Sequence, residues 1–379
     1  MNIKKILSSL LALALVFGLF LACMPASVLA DNKSKETEKS EDQDKAKEDK
    51  EKEDEEEEEE PSDTVKKLFK DFDKAMAKQI GKLPKKYEKP KVGVLIISLT
   101  NPFWANMERC YLEAAEELDL DIDVQTGTTE GDTSSQLDVL MTMADMDYDV
   151  IILSPIDGSN LIPGIVKCNK NGVKVINLGP GVDLKALEEA GGHLDARITV
   201  DFAEQGQICA EDMMKRLDNK GKVAILSGLA GAGQSEGRTK GAKESFEDKK
   251  SEVDLVAVQN CDWDASLAYN ATKDLITEHP DLKGLFCCND VMALAASEAL
   301  EAEGKKDVLI YGVDYTKDAQ EALKEGRMTG TMSYSSQGYC RAALQMAILL
   351  HDGKEFDENI YLPLTLITVD NIEEMQGWK

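Results

Sequence analysis

The stretch Lys91–Met107, KVGVLIISLTNPFWANM, decides the fold. Val92–Ser98 is an apolar, β-branched run without alternation, the pattern of a parallel strand covered on both faces. Leu99–Pro102 reads as a short loop, and Phe103 and Trp104 open a helix. Pro102 suits a first helical turn, where its missing N–H costs nothing. Ligands of parallel α/β sheets bind just beyond the carboxyl ends of strands. Two bulky aromatics and Asn101 therefore stand where a ligand would be held. That arrangement suits the apolar C–H face of a sugar, with the amide reaching a hydroxyl.

From Lys91 onward the chain alternates strand and helix. Candidate strands are Val92–Ser98, Ile122–Thr126, Val150–Ser154, Lys174–Leu178 and Arg197–Val200. A second series follows at Lys222–Ser227, Val253–Gln259, Gly284–Cys288, Val308–Val313 and Thr329–Ser333. Helical patterns lie between them, among them Trp104–Leu118, Thr133–Met146, Phe202–Leu217, Asp264–Glu278 and Asp290–Glu303. Alternation of this kind implies parallel sheets with helices on both faces. Two comparable series imply an α/β fold of two doubly wound lobes, with the ligand where their strand ends face each other.

The segment before Lys91 is of another kind. Residues 1–30 read as an export signal: MNIKK is basic and Ile6–Ala22 is apolar. A single-pass anchor is the alternative, but the run is short for a span. Phe20-Leu21-Ala22-Cys23 resembles a lipobox, which would leave a lipid anchor at Cys23; it departs at Phe20, where lipoproteins usually carry Leu. Pro25–Ala30 followed by Asp31 fits ordinary signal peptidase, the reading we favour. Residues 31–61 are charged and polar, too poor in apolar surface to offset chain entropy, and read as a disordered acidic spacer. In residues 62–89, Val65, Leu68, Phe69, Phe72, Met76 and Ile80 share one helical face, with Ser62 or Asp63 to cap it and Gly81 to end it. This stripe is expected to pack on the protein's own body; a docking helix for a partner is the alternative reading.

A net charge of −27 opposes nucleic acid and anionic membrane surfaces as partners. The seven cysteines after Cys23 are odd in number and irregularly spaced, which is not a disulfide framework, and no Cys/His pattern suits zinc. Cys168, Cys287 and Cys288 fall in or beside apolar segments, as packed thiols do. No metal or cofactor is expected.

Several strand ends carry groups able to hold a polar ligand: Asn101, Phe103 and Trp104 after the first strand, then Asp262 and Trp263, Asn289 and Asp290, Asp314 and Tyr315, and Tyr334 with Gln337. A Gly-rich loop, GLAGAGQSEGRTKG, follows Ser227 and places Arg238 at the start of a helix. Each residue has a plainer role open to it. Asp290 reads as a helix cap, Asn289 as a loop partner, Trp263 as core, and Arg238 as a surface partner of Glu236 or Glu244. Their recurrence at successive strand ends in both halves points to binding. GLAGAGQSEG lacks the Lys-[Ser/Thr] ending of a P-loop and the G-x-G-x-x-G spacing, so a nucleotide is not indicated. No Ser–His–Asp or Cys–His set appears, which leaves paired carboxylates such as Asp290 and Asp314 as the groups open to acid–base chemistry.

These residues carry a family resemblance. Asn101-Pro102-Phe103-Trp104, Ser154-Pro155-Ile156-Asp157, Arg238 with Gly241, Asp262-Trp263, the run FCCNDVMAL from Phe286, Gly312-Val313-Asp314 and Thr331–Tyr334 occur in an order that resembles a type I periplasmic binding protein of the ribose-binding kind. The resemblance, from about Lys91 to Val369, implies an extracytoplasmic sugar or polyol receptor for an ABC transporter permease. It implies two lobes joined by three crossovers near Val200, Tyr334 and Leu364, the first being 90–200 plus 335–364 and the second 201–334 plus 365–379. It also implies ligand contacts at Asn101, Phe103, Trp104, Arg238, Trp263, Asn289, Asp314 and Tyr334. One departure stands out. Where ribose-type receptors carry Asp-Arg after the fourth strand, this chain has Gly179-Pro180, and Tyr334 replaces the usual glutamine, so ribose itself is not the expected ligand. A sensory receptor for a histidine kinase or chemoreceptor and a secreted carbohydrate-acting enzyme are the alternative readings. A repressor is not, since an export signal stands where a DNA-binding helix-turn-helix would be.

Overall fold

Among the described residues twelve strands fall into two six-stranded sheets of repeated design. The first sheet contains β1 (Val92–Ile96), β2 (Ile122–Thr126), β3 (Val150–Leu153), β4 (Lys174–Leu178), β5 (Ala196–Thr199) and β11 (Ile360–Tyr361), in the order β11-β5-β4-β3-β1-β2. The second contains β6 (Lys220–Ser227), β7 (Glu252–Asn260), β8 (Leu282–Cys287), β9 (Leu309–Val313), β10 (Gly330–Ser333) and β12 (Thr365–Thr368), in the order β12-β10-β9-β8-β6-β7. Shifting every strand number of β5-β4-β3-β1-β2 by five reproduces the second order, so one lobe plan is used twice. Pairing is parallel except for β12, which runs antiparallel to β10. All ten expected strands are present; β11 and β12 are additions. The computed structural model describes residues 60–356 and 359–378. The expected export signal, the lipid-anchor cysteine Cys23 and all but the end of the acidic spacer lie outside these residues.

The helices are α1 (Asp63–Gln79), α2 (Pro102–Glu117), α3 (Thr133–Met143), α4 (Ile162–Lys170), α5 (Leu184–Glu189), α6 (Phe202–Arg216), α7 (Gly233–Phe246), α8 (Ala265–Glu278), α9 (Asp290–Ala302), α10 (Lys317–Lys324) and α11 (Ser336–His351). None among the described residues is long and apolar enough to cross a membrane. The chain passes between the sheets three times: from β5 into α6, from β10 into α11, and from β11 into β12. Every residue of β1 and β3 is buried, as their unbroken apolar sequences require.

The Gly-rich stretch after β6 differs from its expected form. It is a loop only as far as Ala232, and QSEGRTKG lies within α7. The cause is a close helix–helix approach. A Cβ on Gly241 would stand 1.8 Å from the Ala203 carbonyl oxygen, and one on Gly206 would stand 2.0 Å from the Arg238 carbonyl oxygen. Glycine here buys contact between α6 and α7, which outweighs its usual penalty of about 1 kcal/mol in a helix. Arg238 consequently sits in the second turn of α7, pressed against α6, and not at a helix start.

Helix α1 packs on the body of the protein. Val65, Phe72, Met76 and Ile80 are buried, and Ser62 is the N-cap, its hydroxyl accepting from the Val65 N–H at 3.1 Å. The Phe72 ring covers Gly338 of α11, where a Cβ would come within 2.6 Å of it. The seven cysteines after Cys23 are buried with no disulfide among them, and burial pushes the Cys168, Cys261 and Cys288 thiols up to about 11, which disfavours the reactive thiolate.

A chain beginning at Pro61 should therefore melt like the full-length protein, whereas one beginning at Lys82 should melt several degrees lower. Phe72→Ala should cost about 3–5 kcal/mol in urea unfolding, as buried aromatics do. Equal melting of the two truncated chains would show that α1 adds nothing to the fold.

Candidate functional site

One cleft collects the strand ends of both lobes. It measures about 470 Å³, its open mouth included, and is lined by all eight residues expected to touch a ligand: Asn101, Phe103, Trp104, Arg238, Trp263, Asn289, Asp314 and Tyr334. The lobes are closed on it, for Gly233 at the start of α7 would bring a Cβ within 3.8 Å of the Gly181 N–H. The lining comes from turns just beyond the carboxyl ends of strands in both sheets, the side on which open parallel sheets bind ligands.

The first lobe contributes an aromatic wall. Asn101 is the N-cap of α2, its Oδ1 accepting from the Phe103 N–H at 2.9 Å. Phe103 meets Trp104 edge-on at 4.9 Å and Tyr334 at 5.8 Å, and Tyr334 meets Tyr339 at 5.8 Å. Glu130, in the loop after β2, holds this wall in place. Its carboxylate accepts from Asn101 Nδ2 and from Trp104 Nε1, each at 3.1 Å. The sequence reading missed Glu130, because an acid in TTEGDT looks like any solvated loop residue.

The second lobe contributes the charge. Arg238 is 4 % exposed. Its Nε donates to Gln205 Oε1 and its Nη1 to the Cys288 carbonyl, both at 2.8 Å, and the guanidinium lies 5.6 Å from the centre of the Phe202 ring. Its remaining nitrogen, Nη2, is 3.6 Å from Asp314 Oδ1. That is an ion pair but too long for a hydrogen bond. The surface pairing with Glu236 or Glu244 is thus replaced by a buried set of partners. Asn289 caps α9 with Oδ1, which accepts from the Met292 N–H at 3.0 Å, while its Nδ2 is buried without a partner. Gln234 Oε1 is likewise buried and unpartnered.

Trp263 forms the facing wall. Its φ is +66°, rare for a bulky side chain, and its ring lies over Gly228, where a Cβ would fall 2.1 Å from it. Asp314, at φ +118°, ends β9 in another strained turn. Strain of this sort is retained where the surroundings over-determine it, as they do at binding sites.

Asp290 is not the helix cap; its neighbour Asn289 is. Asp290 is fully buried and stands outside the cleft lining, with Oδ1 accepting from Thr331 Oγ1 at 2.6 Å and Oδ2 from the Thr316 N–H at 2.8 Å. It braces the turn that presents Asp314, so the geometry gives no acid–base pair of Asp290 with Asp314. Asp262, Tyr315 and Gln337 do not line the cleft either. Among the described residues no group of His, Cys, Asp and Glu is placed to hold a metal ion.

A sequence profile described as a periplasmic binding protein domain matches residues 92–355. The chain belongs to the periplasmic binding protein family. The D-allose-binding periplasmic protein of Escherichia coli (strain K12) is 31% identical over 257 residues, which cover 67% of this chain and 82% of that protein. The ribose import binding protein of Bacillus subtilis (strain 168) is 26% identical over 277 residues, 73% of this chain and 87% of that one. The crystal structure of an ABC transporter periplasmic solute binding protein from Actinobacillus succinogenes 130z with bound D-allose superposes with a TM-score of 0.72 at 29% identity, covering 75% of this chain and 99% of that one. Periplasmic binding proteins are extracytoplasmic substrate-binding proteins and not enzymes, and this chain is a solute-binding protein of the ABC-transporter kind.

Burial raises the Glu130 and Asp314 carboxyls, the Arg238 charge drawing both back down, while Asp290 and Glu130 push Asp314 further up. Burial likewise lifts Asp290 to about 7. An acid raised in the folded state holds its proton where the unfolded chain has lost it, so its contribution to stability is present below the ordinary Asp value of about 4 and is lost as pH rises to about 7. Carboxylates held low by a lysine, such as Asp147 beside Lys91, act below that window. The melting temperature of the ligand-free protein should therefore fall between pH 5 and pH 8, and Asp290→Asn should flatten the fall. A melting temperature that rises over this range would contradict the assignment.

Proposed function

We propose that this protein binds one uncharged sugar or polyol in the closed cleft and delivers it to an ABC permease. The observation that carries this reading is the 3.6 Å gap between Arg238 Nη2 and Asp314 Oδ1. It is too wide for a direct hydrogen bond and suits a hydroxyl that accepts from the guanidinium and donates to the carboxylate. Asn289 Nδ2 and Gln234 Oε1 add one unpartnered donor and one acceptor from the same lobe. Trp104, Phe103 and Trp263 supply flat apolar faces for the C–H side of a ring. Micromolar affinity needs about −8 kcal/mol. Hydrogen bonds to charged groups, about 1.5–3 kcal/mol each, together with aromatic burial reach that after ordering costs.

The names of the relatives support the same class, since they include D-allose and ribose binders. Ribose is not the preferred ligand in our reading, because Gly179-Pro180 brings no side-chain hydrogen bond to the cleft. An export signal and either of the two processing routes fit delivery outside the cytoplasm.

In a thermal-shift panel of pentoses, hexoses, deoxysugars and polyols, at least one neutral compound should raise the melting temperature at micromolar concentration, because saturation at a hundred times Kd adds about 2.7 kcal/mol. Ribose should not give the largest shift. A panel without effect, or one led by ribose, would overturn this reading or its ribose clause respectively. With the best ligand, Trp263→Ala and Gly228→Ala should each weaken binding several-fold or more, the second by displacing the tryptophan ring. Unchanged affinity in both would remove Trp263 from the site.

A further inference from the structure

The cleft lining is chemically uneven. Arg238, Asp314, Asn289 and Glu130 bring polar groups to it, and Leu178, Gly179, Pro180 and Val200 bring an apolar stretch. Along that stretch the nearby donors are committed within the protein. Thr199 Oγ1 donates to the Gly179 carbonyl at 2.9 Å, Asn177 Nδ2 to the Pro180 carbonyl at 2.7 Å, and Tyr339 Oη to the Ile198 carbonyl at 3.0 Å. The Gly179 N–H is spent on the Ile198 carbonyl as well, at 2.9 Å, and Pro180 has no N–H to give. The Arg197 guanidinium packs on Gly181 and is not among the residues lining the cleft. A ligand hydroxyl placed there would lose its water without gaining a donor.

We infer that the ligand presents an unhydroxylated edge, the methyl or methylene of a deoxysugar, to Leu178, Pro180 and Val200 while its hydroxyls face Arg238 and Asp314. The inference rests on the sugar reading and narrows it. Titration calorimetry on matched pairs tests it: D-fucose with D-galactose, L-rhamnose with L-mannose, and 6-deoxy-D-allose with D-allose. At least one deoxysugar should bind tenfold or more tighter than its parent, the scale at which an apolar pocket disfavours an added hydroxyl. Val200→Thr, which places a hydroxyl on that stretch, should narrow the gap. If sugars bind but every parent equals or exceeds its deoxy partner, the inference fails and the sugar reading stands. If no sugar binds, both fail.

A second inference comes from α1, which precedes the residues matched by the family profile. Its beginning is tied to the tail of the second lobe. The Ser62 N–H donates to the Gln376 carbonyl at 3.1 Å, the Ser62 hydroxyl donates to the Glu374 carbonyl, and Phe69 lies 5.1 Å from the Trp378 ring. That tail is fastened to the second lobe by Trp378 Nε1 donating to Ser333 Oγ at 2.9 Å and by the Arg216–Asp370 ion pair at 2.6 Å. The end of α1 is tied to the first lobe. Gln79 exchanges two hydrogen bonds with the backbone of Tyr361 in β11, at 2.8 and 3.0 Å, and Lys354 donates to the Ile80 carbonyl at 2.6 Å.

The geometry points to α1 as a clasp that spans the hinge and holds the lobes toward the closed arrangement. Small-angle X-ray scattering and hydrogen exchange of the ligand-free protein test this with Gln79→Ala combined with Phe69→Ala, and with the chain starting at Lys82. With the double variant built into the chain beginning at Pro61 and both compared against that chain, the radius of gyration should be larger, and amides of the crossings near Ser335 and Tyr361 should exchange at least tenfold faster. If the truncated chain does not fold, the double variant still decides. An unchanged radius and unchanged exchange at those crossings would overturn the clasp.

Discussion

The buried guanidinium of Arg238 is the constraint around which the site is arranged. A charge that is 4 % exposed persists only if its donors are met. Gln205 and the Cys288 carbonyl meet two of them. The third side faces Asp314 across 3.6 Å, and that incomplete pair is what a hydroxylated ligand can complete. The Gln205 contact depends on α6 and α7 lying almost backbone to backbone, hence on Gly206 and Gly241. Sequence, helix packing and ligand chemistry are thus linked through one side chain.

The two lobes divide the work. The second lobe holds most of the polar reach: Arg238, Asp314, Asn289 and Gln234. The first holds an aromatic wall fixed by Glu130, whose carboxylate takes the Trp104 and Asn101 donors and so prevents the ring and the amide from turning. Closure places a buried acid of the first lobe in the field of Asp314 on the second. A ligand hydroxyl that donates to Asp314 stabilises its ionised form. Binding and closure are therefore coupled electrostatically as well as by shape.

Much of this was legible in the sequence for identifiable reasons. The unbroken apolar run of β1 can only be a strand buried on both faces, and Asn101-Pro102-Phe103-Trp104 follows it at the point where such strands end. The repeated strand–helix rhythm showed two lobes, and the Val65–Ile80 stripe showed a helix with a buried face. What escaped depends on distant partners. The glycines of α7 looked like a loop because their reason, contact with Phe202 and Ala203, lies on another helix. Glu130 looked solvated because Asn101 and Trp104, which bury it, are a helix away. Asn289 and Asp290 are both good caps, and only the turn at Thr316 and the Thr331 hydroxyl decide that Asp290 faces inward. Strand β11 is only two residues long, and β11 and β12 both exist because the segments around the last crossing pair with distant strands, β5 and β10.

In the proposed reading the space between Arg238, Asp314 and the tryptophans holds a neutral hydroxylated small molecule. The most direct measurement is mass spectrometry of the small molecule released by unfolding protein purified gently from its own cells. One neutral sugar or polyol should be released at up to one equivalent, and it should be missing from Arg238→Ala protein prepared in parallel. Release of a charged metabolite such as an amino acid or a nucleotide, or equal release from the variant, would contradict the account.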